Sequence, residues 1–287
     1  MAVFAVVASL AVTTDAAPVL AEDCRYWVAK SGSDTADGSK TRPWATVTHA
    51  VEEVPDDSCT ITVRSGVYRE AIEIERRFTT KVKIRAAKPY RAVFEFDSDV
   101  LDIDGARSVV IAGLVFRHDG PGASGHVVNV DNGGGVWAER ITLFNNIFHD
   151  SYDNDLLKIQ AGVKKATVVG NVFYNQGPSE QHMDVNSVID VTIQDNIFFN
   201  DFSRSGRGNV DSKHFIVVKD SGVFDDGLDG SERITIRRNV FMNWEGDVQS
   251  FVQIGNDGKA YHEAKDVQVE NNLFLGNSSQ ETVTPLG

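Results

Sequence analysis

The segments LFNNIF (143–148), VVGNVF (168–173) and IQDNIF (193–198) decide how this chain folds. IRRNVF (236–241) and VENNLF (269–274) repeat them, and IAGLVF (111–116) is a weaker copy. The shared pattern is an apolar residue, two variable residues, Asn, an apolar residue and Phe. Successive Phe positions in the five full copies lie 25, 25, 43 and 33 residues apart, so a coil of 25 residues recurs with insertions in its turns. Val, Ile and Phe alternate with period two and are interrupted by Asn and Gly, which argues for strands against helices. The Leu/Asn signature of leucine-rich repeats is absent, and propeller blades need longer periods. A parallel β-helix remains, in which each short strand stacks on its copy in the next coil at about 4.8 Å.

The repeated Asn then has a physical task. A turn between strands needs a left-handed residue, which Asn tolerates, so Asn171 and Asn196 are expected there in or near that conformation. Stacked carboxamides also hydrogen-bond along the axis as a ladder. The Phe two residues later is expected to point inward and stack. No Asn occurs before Asn129, so the first coils must turn with Gly and Asp.

A second strand family runs through LDI (101–103), VNV (128–130), LKI (157–159), MDV (183–185), IVV (216–218) and VQI (252–254). The outer members of each triplet should face the core and the middle member solvent. That register makes one exposed column of Asp102, Asn129, Lys158, Asp184, Val217 and Gln253. A second column holds Asp104, Asp131, Gln160, Asn186, Lys219 and Gly255.

With 41% hydrophobic and 24% charged residues, the composition excludes disordered and collagen-like chains. A net charge of −13 lacks the basic footprint of a nucleic-acid binder. Beyond the N-terminus no apolar run reaches membrane-spanning length. Neither nucleic acid nor membrane is an expected partner, and a monomer is expected. AVFAVVASLAV (2–12) followed by VLA (19–21) reads as a secretory signal over 1–21, against the alternative of a buried N-terminal strand or helix. Its basic flank is missing, which is consistent with a start further upstream. Residues 22–287 are expected to be one β-helix domain, secreted, periplasmic or at the cell surface. The chain ends directly on a strand pattern, so either it continues beyond Gly287 or its last edge is covered another way. In an exported protein Cys24 and Cys59 read as one disulfide fastening the N-terminal segment, the alternative being two buried thiols.

The N-terminal stretches YWVAKSGSD (26–34), RPWAT (42–46), VTHAVEEV (47–54), ITVRSGVYRE (61–70) and IEI (72–74) differ from the repeat. They resemble the beginning of right-handed parallel β-helix proteins of the pectin-lyase-like superfamily, in which a short helix caps the stack. The resemblance implies an all-β, right-handed solenoid with an N-terminal capping helix. It does not single out an activity, because the fold hosts lyases, hydrolases, epimerases and binding proteins.

In the similar polysaccharide lyases, a glycan lies along an exposed sheet. A cation or charged side chain neutralises the uronate carboxylate, and a Lys or Arg takes the C5 proton. What the resemblance implies here is a secreted lyase of a uronate-containing glycan, with an acidic polysaccharide as partner and Ca²⁺ as a candidate cofactor. The catalytic candidates are Lys158, Lys219 and His182, with Lys158 favoured as base. Asp155, Asp184 and Asn186 are the candidate metal ligands. Asn129, Gln160, Gln253, Arg204, Arg207 and Trp244 are the candidate glycan contacts, Trp244 by stacking on a sugar ring. Lys213, His214 and the loop residues Asp220, Asp225, Asp226 and Tyr261 lie near. Lys158 and Asp184 should occupy adjacent coils, and an ion pair between them would raise the lysine pKa, which is wrong for a base. The Gly-His-Gly segment of the similar galacturonan hydrolases and the Asp-Pro-His-Glu motif of the epimerases are both absent. A non-catalytic glycan-binding protein and, third, a hydrolase with a carboxylate pair stay open. The charge of −13 opposes a polyanionic substrate unless a metal or a local lysine cluster inverts the field.

Overall fold

The computed structural model describes residues 24–178, 180–207, 213–220, 227–228, 230–244, 250–255, 263–275 and 281–285. The expected signal segment 1–21 and Asp225, Asp226 and Tyr261 lie outside these. Successive coils contribute one strand each to three parallel sheets. Thr142–Phe144, Ile147–His149 and Leu157–Gln160 form one such coil. The first sheet has ten strands and begins at Arg25–Val28; the second and third have eight each. The second begins at Gly66–Tyr68, and the third runs from Ile72–Ile74 to Glu281–Pro285. The architecture is the right-handed parallel β-helix.

The repeat sits where the first sheet turns into the second, and it works differently from the expectation. The left-handed residue is not the repeated Asn but the one before it: Gly113, Asn145, Gly170, Asp195, Arg238 and Asn271 have φ between 52° and 71°. The repeated Asn instead turns inward and its whole carboxamide is used. Oδ1 of Asn171 accepts the backbone N–H of Asn146 at 2.8 Å and its Nδ2 at 3.2 Å. Nδ2 of Asn171 donates to the Leu143 carbonyl at 2.9 Å and to Asn196 Oδ1 at 3.1 Å. Asn196, Asn239 and Asn272 continue the same pattern. A side chain so placed satisfies peptide groups that the turn removes from the sheets, which a buried turn must do.

Two residues on, the aromatic expectation is met. Phe94, Phe116, Phe148, Phe173, Phe198, Phe241 and Phe274 stack face to face with centroids 4.8–5.7 Å apart. This spacing is the coil rise itself, so each ring contacts its copies above and below.

The first coil is capped by the one helix among the described residues, Val47–Glu53. Thr46 is its N-cap, with Oγ1 accepting the His49 N–H. Glu70 accepts the N–H groups of Val47 and Thr48, and burial pushes its pKa up to about 7. Val47, Ala50 and Val51 cover core residues that no earlier coil covers. Cys24 and Cys59 form a disulfide, which ties the strand Arg25–Val28 to Thr60–Val63.

Two substitutions one residue apart should therefore behave oppositely. Asn146→Ala strands several buried polar groups and should lower unfolding free energy by about 2–4 kcal/mol. Asn145→Gly relaxes a left-handed residue and should change it by less than about 1 kcal/mol. Urea unfolding followed by circular dichroism reads both.

Candidate functional site

Register brings the third-sheet candidates together. Asn129 pairs with Lys158, Lys158 with Asp184, and Asp184 with Val217; Gln160 pairs with Asn186, and Asn186 with Lys219. Both expected columns exist. They are less open than expected, because Asp184, Asn186 and Val217 are buried.

Lys158 donates to Asp184 Oδ2, and its ammonium lies 3.9 Å from Asp155. Lys219 approaches the same Asp184 oxygen from the other neighbouring coil, at 3.5 Å. The second oxygen of Asp184, Oδ1, is buried with no hydrogen-bond partner among the described residues. Burial by itself would lower the Lys158 pKa, but the charges of Asp184 and Asp155 outweigh it and the net direction is up. A raised pKa keeps Lys158 an ammonium and argues against it as the base. Burial, then the charge of Asp184, pushes Asp155 up to about 7. Glu180, at the turn before the strand, faces Lys158, Lys213 and Lys219, and burial raises its pKa as well.

Towards the N-terminal coils the columns turn acidic. Gln160 Nε2 donates to Asn129 Oδ1 at 3.2 Å and Asp131 Oδ2 at 3.0 Å, and Asn129 Nδ2 donates to Asp102 Oδ1 at 3.0 Å. Burial, then the charge of Asp104, drives Asp102 up to about 7; Asp104 is raised by burial and by Asp131. Towards the C-terminal coils, Ser187 bridges Asn186 and Asp220 at 3.3 and 2.7 Å, and Gln253 turns back onto the Gly255 carbonyl at 2.9 Å.

Other candidates lie elsewhere. His182 is wholly buried, stacked on Phe215 at 4.4 Å and bonded to Asn200; burial drops its pKa to about 3, so it is a neutral core ring and not part of the face. Trp244 is buried, its Nε1 donating to the Lys213 carbonyl, so the indole closes the core beside Phe251 and offers no sugar platform. Arg207 is locked at the turn before the third sheet, donating to the Ser151 and Gln176 carbonyls and stacked 4.4 Å over Tyr152. Arg204 is on an exposed turn next to it. Half-buried His214 bonds the Ser250 carbonyl.

The candidate metal triad does not suit a calcium ion. The Lys158 ammonium stands between Asp155 and Asp184, where a cation would sit. Among the described residues no group of three or more His, Cys, Asp or Glu side chains is arranged to hold a metal. Sequence reasoning passed over Glu180 and the pair Asp102–Asp104. Both sat beside recognised candidates, and only burial, invisible in the strand pattern, singles them out.

No family model and no curated protein matches the sequence. Solved structures do. The chain is similar to pectate lyase Pel9A, with TM-score 0.53, 15% identity, and 86% of this chain and 78% of that one covered. It is similar to the pectin methylesterase from Aspergillus niger, at TM-score 0.53 and 12% identity, covering 92% and 90%. It is also similar to Escherichia coli ybhC, at TM-score 0.53 and 9% identity, covering 93% and 74%. At these identities the likeness establishes the fold.

The raised Asp155 pKa gives a stability signature. Between the unfolded value of 3.8 and about 7 the native carboxyl holds its proton more tightly than the unfolded one, so stability falls as pH rises through that window and is flat above it. Asp155→Asn keeps an oxygen for the Gln181 N–H it now accepts. The variant should lose part of this decline and be more stable than wild type at pH 8, as thermal unfolding at pH 4 to 8 will show.

Proposed function

We propose that the protein is exported and acts on a uronate-containing polysaccharide bound along the third sheet, cleaving it by β-elimination. One observation carries this reading. Lys158 and Lys219 reach from the coils on either side to a single buried carboxylate, Asp184, with Glu180 and Lys213 beside them. Three lysines gathered at one point offset the carboxylates of Asp184, Asp155 and Glu180 there, so this stretch of an acidic chain is not uniformly repulsive to an anion. Their ammonium groups are fixed before substrate arrives, and fixed charge is what stabilises a developing enolate. The disulfide fits an oxidising compartment.

In this reading the uronate carboxylate sits against Lys158 and Lys219. Glu180, its pKa raised towards neutrality, takes the C5 proton. The C5–H electrons form the C4–C5 double bond, the C4–O bond breaks, and the Lys219 ammonium protonates the leaving oxygen. Lys158 keeps its proton throughout and holds the charge. No step uses a metal ion.

A second reading has one observation in its favour. Asp102, raised to about 7, lies beside Asp104, which is raised as well, and a neighbouring carboxyl pair of perturbed pKa is a candidate acid pair for hydrolysis. Polygalacturonate and alginate digests separate the two. Elimination gives absorbance from the unsaturated uronate, and Glu180→Gln should reduce it about 10²-fold or more. Full turnover by the Lys158→Ala/Lys219→Ala double variant would refute elimination at this site. New reducing ends without absorbance, lost in Asp102→Asn, would favour hydrolysis, and binding without any product a glycan-binding protein.

A further inference from the structure

On a different side of the solenoid, the first sheet carries a notch. Register stacks Arg85, Ala112 and Phe144 in one outward column. Ala112 is the small middle member, so Arg85 and Phe144 stand two coil rises apart, about 9–10 Å. A ring between two surfaces at contact distance needs about 7–8 Å. The notch belongs to a cavity of 370 Å³ that Lys83, Tyr90 and Asn145 also line. Tyr90 and Phe144 are 41% and 39% exposed, and Phe144 is the exposed one among the described Phe residues, most of which are buried. Tyr90 is also held at φ 60°, a conformation that costs a bulky residue energy and gathers at functional positions. Its N–H is fixed to the Gly113 carbonyl at 2.7 Å.

The charge around the notch is equally distinctive. Residues 76–94 contain seven of the chain's 28 Lys and Arg and none of its 41 acids. Of these, Lys81, Lys83, Arg85, Lys88 and Arg91 have no ion-pair partner among the described residues. Several arginines elsewhere are matched, as in Arg117 with Glu95 and Arg238 with Asp195. Two open aromatic faces beside unneutralised cations suit a ring that presents an apolar face and carries a carboxylate.

We propose that this notch is an accessory docking site for one uronate residue of an acidic polysaccharide. The ring would rest against Phe144 and Tyr90, with its carboxylate towards Lys83 and Arg85. The choice of uronate rests on the function proposed above; the notch itself is remote in register from the third-sheet face. Its use would be to hold a long polymer on the protein while the face engages another stretch, raising the effective concentration there.

The test is affinity electrophoresis and calorimetry with polygalacturonate and alginate, with dextran as neutral control. It compares wild type, Ala112→Phe, which fills the notch, Phe144→Ala, and Lys83→Gln/Arg85→Gln. Each notch variant should bind the polymer about tenfold more weakly, with unchanged folding by circular dichroism and unchanged turnover of a trisaccharide too short to span both sites. Unchanged polymer affinity in all three variants would overturn the notch while leaving the face intact. Loss in the notch variants with no loss in Lys158→Ala/Lys219→Ala would uphold the notch and remove the face. Wild type that binds neither polymer would overturn both.

Discussion

Each inward carboxamide of the ladder accepts the N–H of its counterpart one coil earlier and passes its own donors to both neighbours, as Asn171 does between Asn146 and Asn196. Backbone hydrogen bonds within the sheets already join the coils, but they cannot follow the chain round a tight, buried corner. The ladder carries the pairing through that corner, so the coil rise is the same at the turn as in the sheets. The Phe stack and the polar columns depend on this. A residue repeated at one position of the coil falls beside its copy within contact distance, and any drift in the corner would pull the columns out of line.

The same regularity produces the chemistry of the third sheet. Stacking in register does not let a charged side chain choose its neighbours. Asp104 lies beside Asp131 and Glu73 beside Asp102, and burial together with these like charges raises the pKa of Asp102 and Asp104. Where Lys158 meets Asp184 the coils supply opposite charges; burial opposes the ammonium, but the charges of Asp184 and Asp155 outweigh it and raise the lysine pKa. Both halves of the face therefore carry groups shifted from their ordinary values, through one cause acting on different residues.

The fold was legible because it is periodic. Six strand triplets and five Asn-x-Phe copies fix register without further information, and the columns read from the sequence are the columns in the structure. What periodicity leaves out is depth. His182 has the same place in its coil as Leu156 and Phe215, one residue before the strand; taken alone it read as a catalytic candidate on the face, whereas its column is apolar and inward. Trp244 and Arg207 sit in insertions, where no repeat exists to say which way a side chain points. The left-handed residue was misplaced by one position because the repeated Asn tolerates that conformation, whereas the structure puts it at the variable position before, held by Asn145 and Asn271 in two of the coils. Gly170 before Asn171 held the correct reading, since glycine needs no other reason to be there.

Charge is where sequence and structure most need each other. A total of −13 says that the molecule repels polyanions at long range, yet that field is screened within about 8–10 Å at ordinary salt. At shorter range the distribution governs, and the solenoid sorts it. Acids collect on the third sheet in the coils from Glu73 to Asp131, lysines on the same sheet from Lys158 to Lys219, and unpaired cations on the first sheet around Arg85. On the proposed reading, an anionic chain would be turned away from the acidic coils and held at the two basic stations, and the strand register that places those stations would decide where it lies.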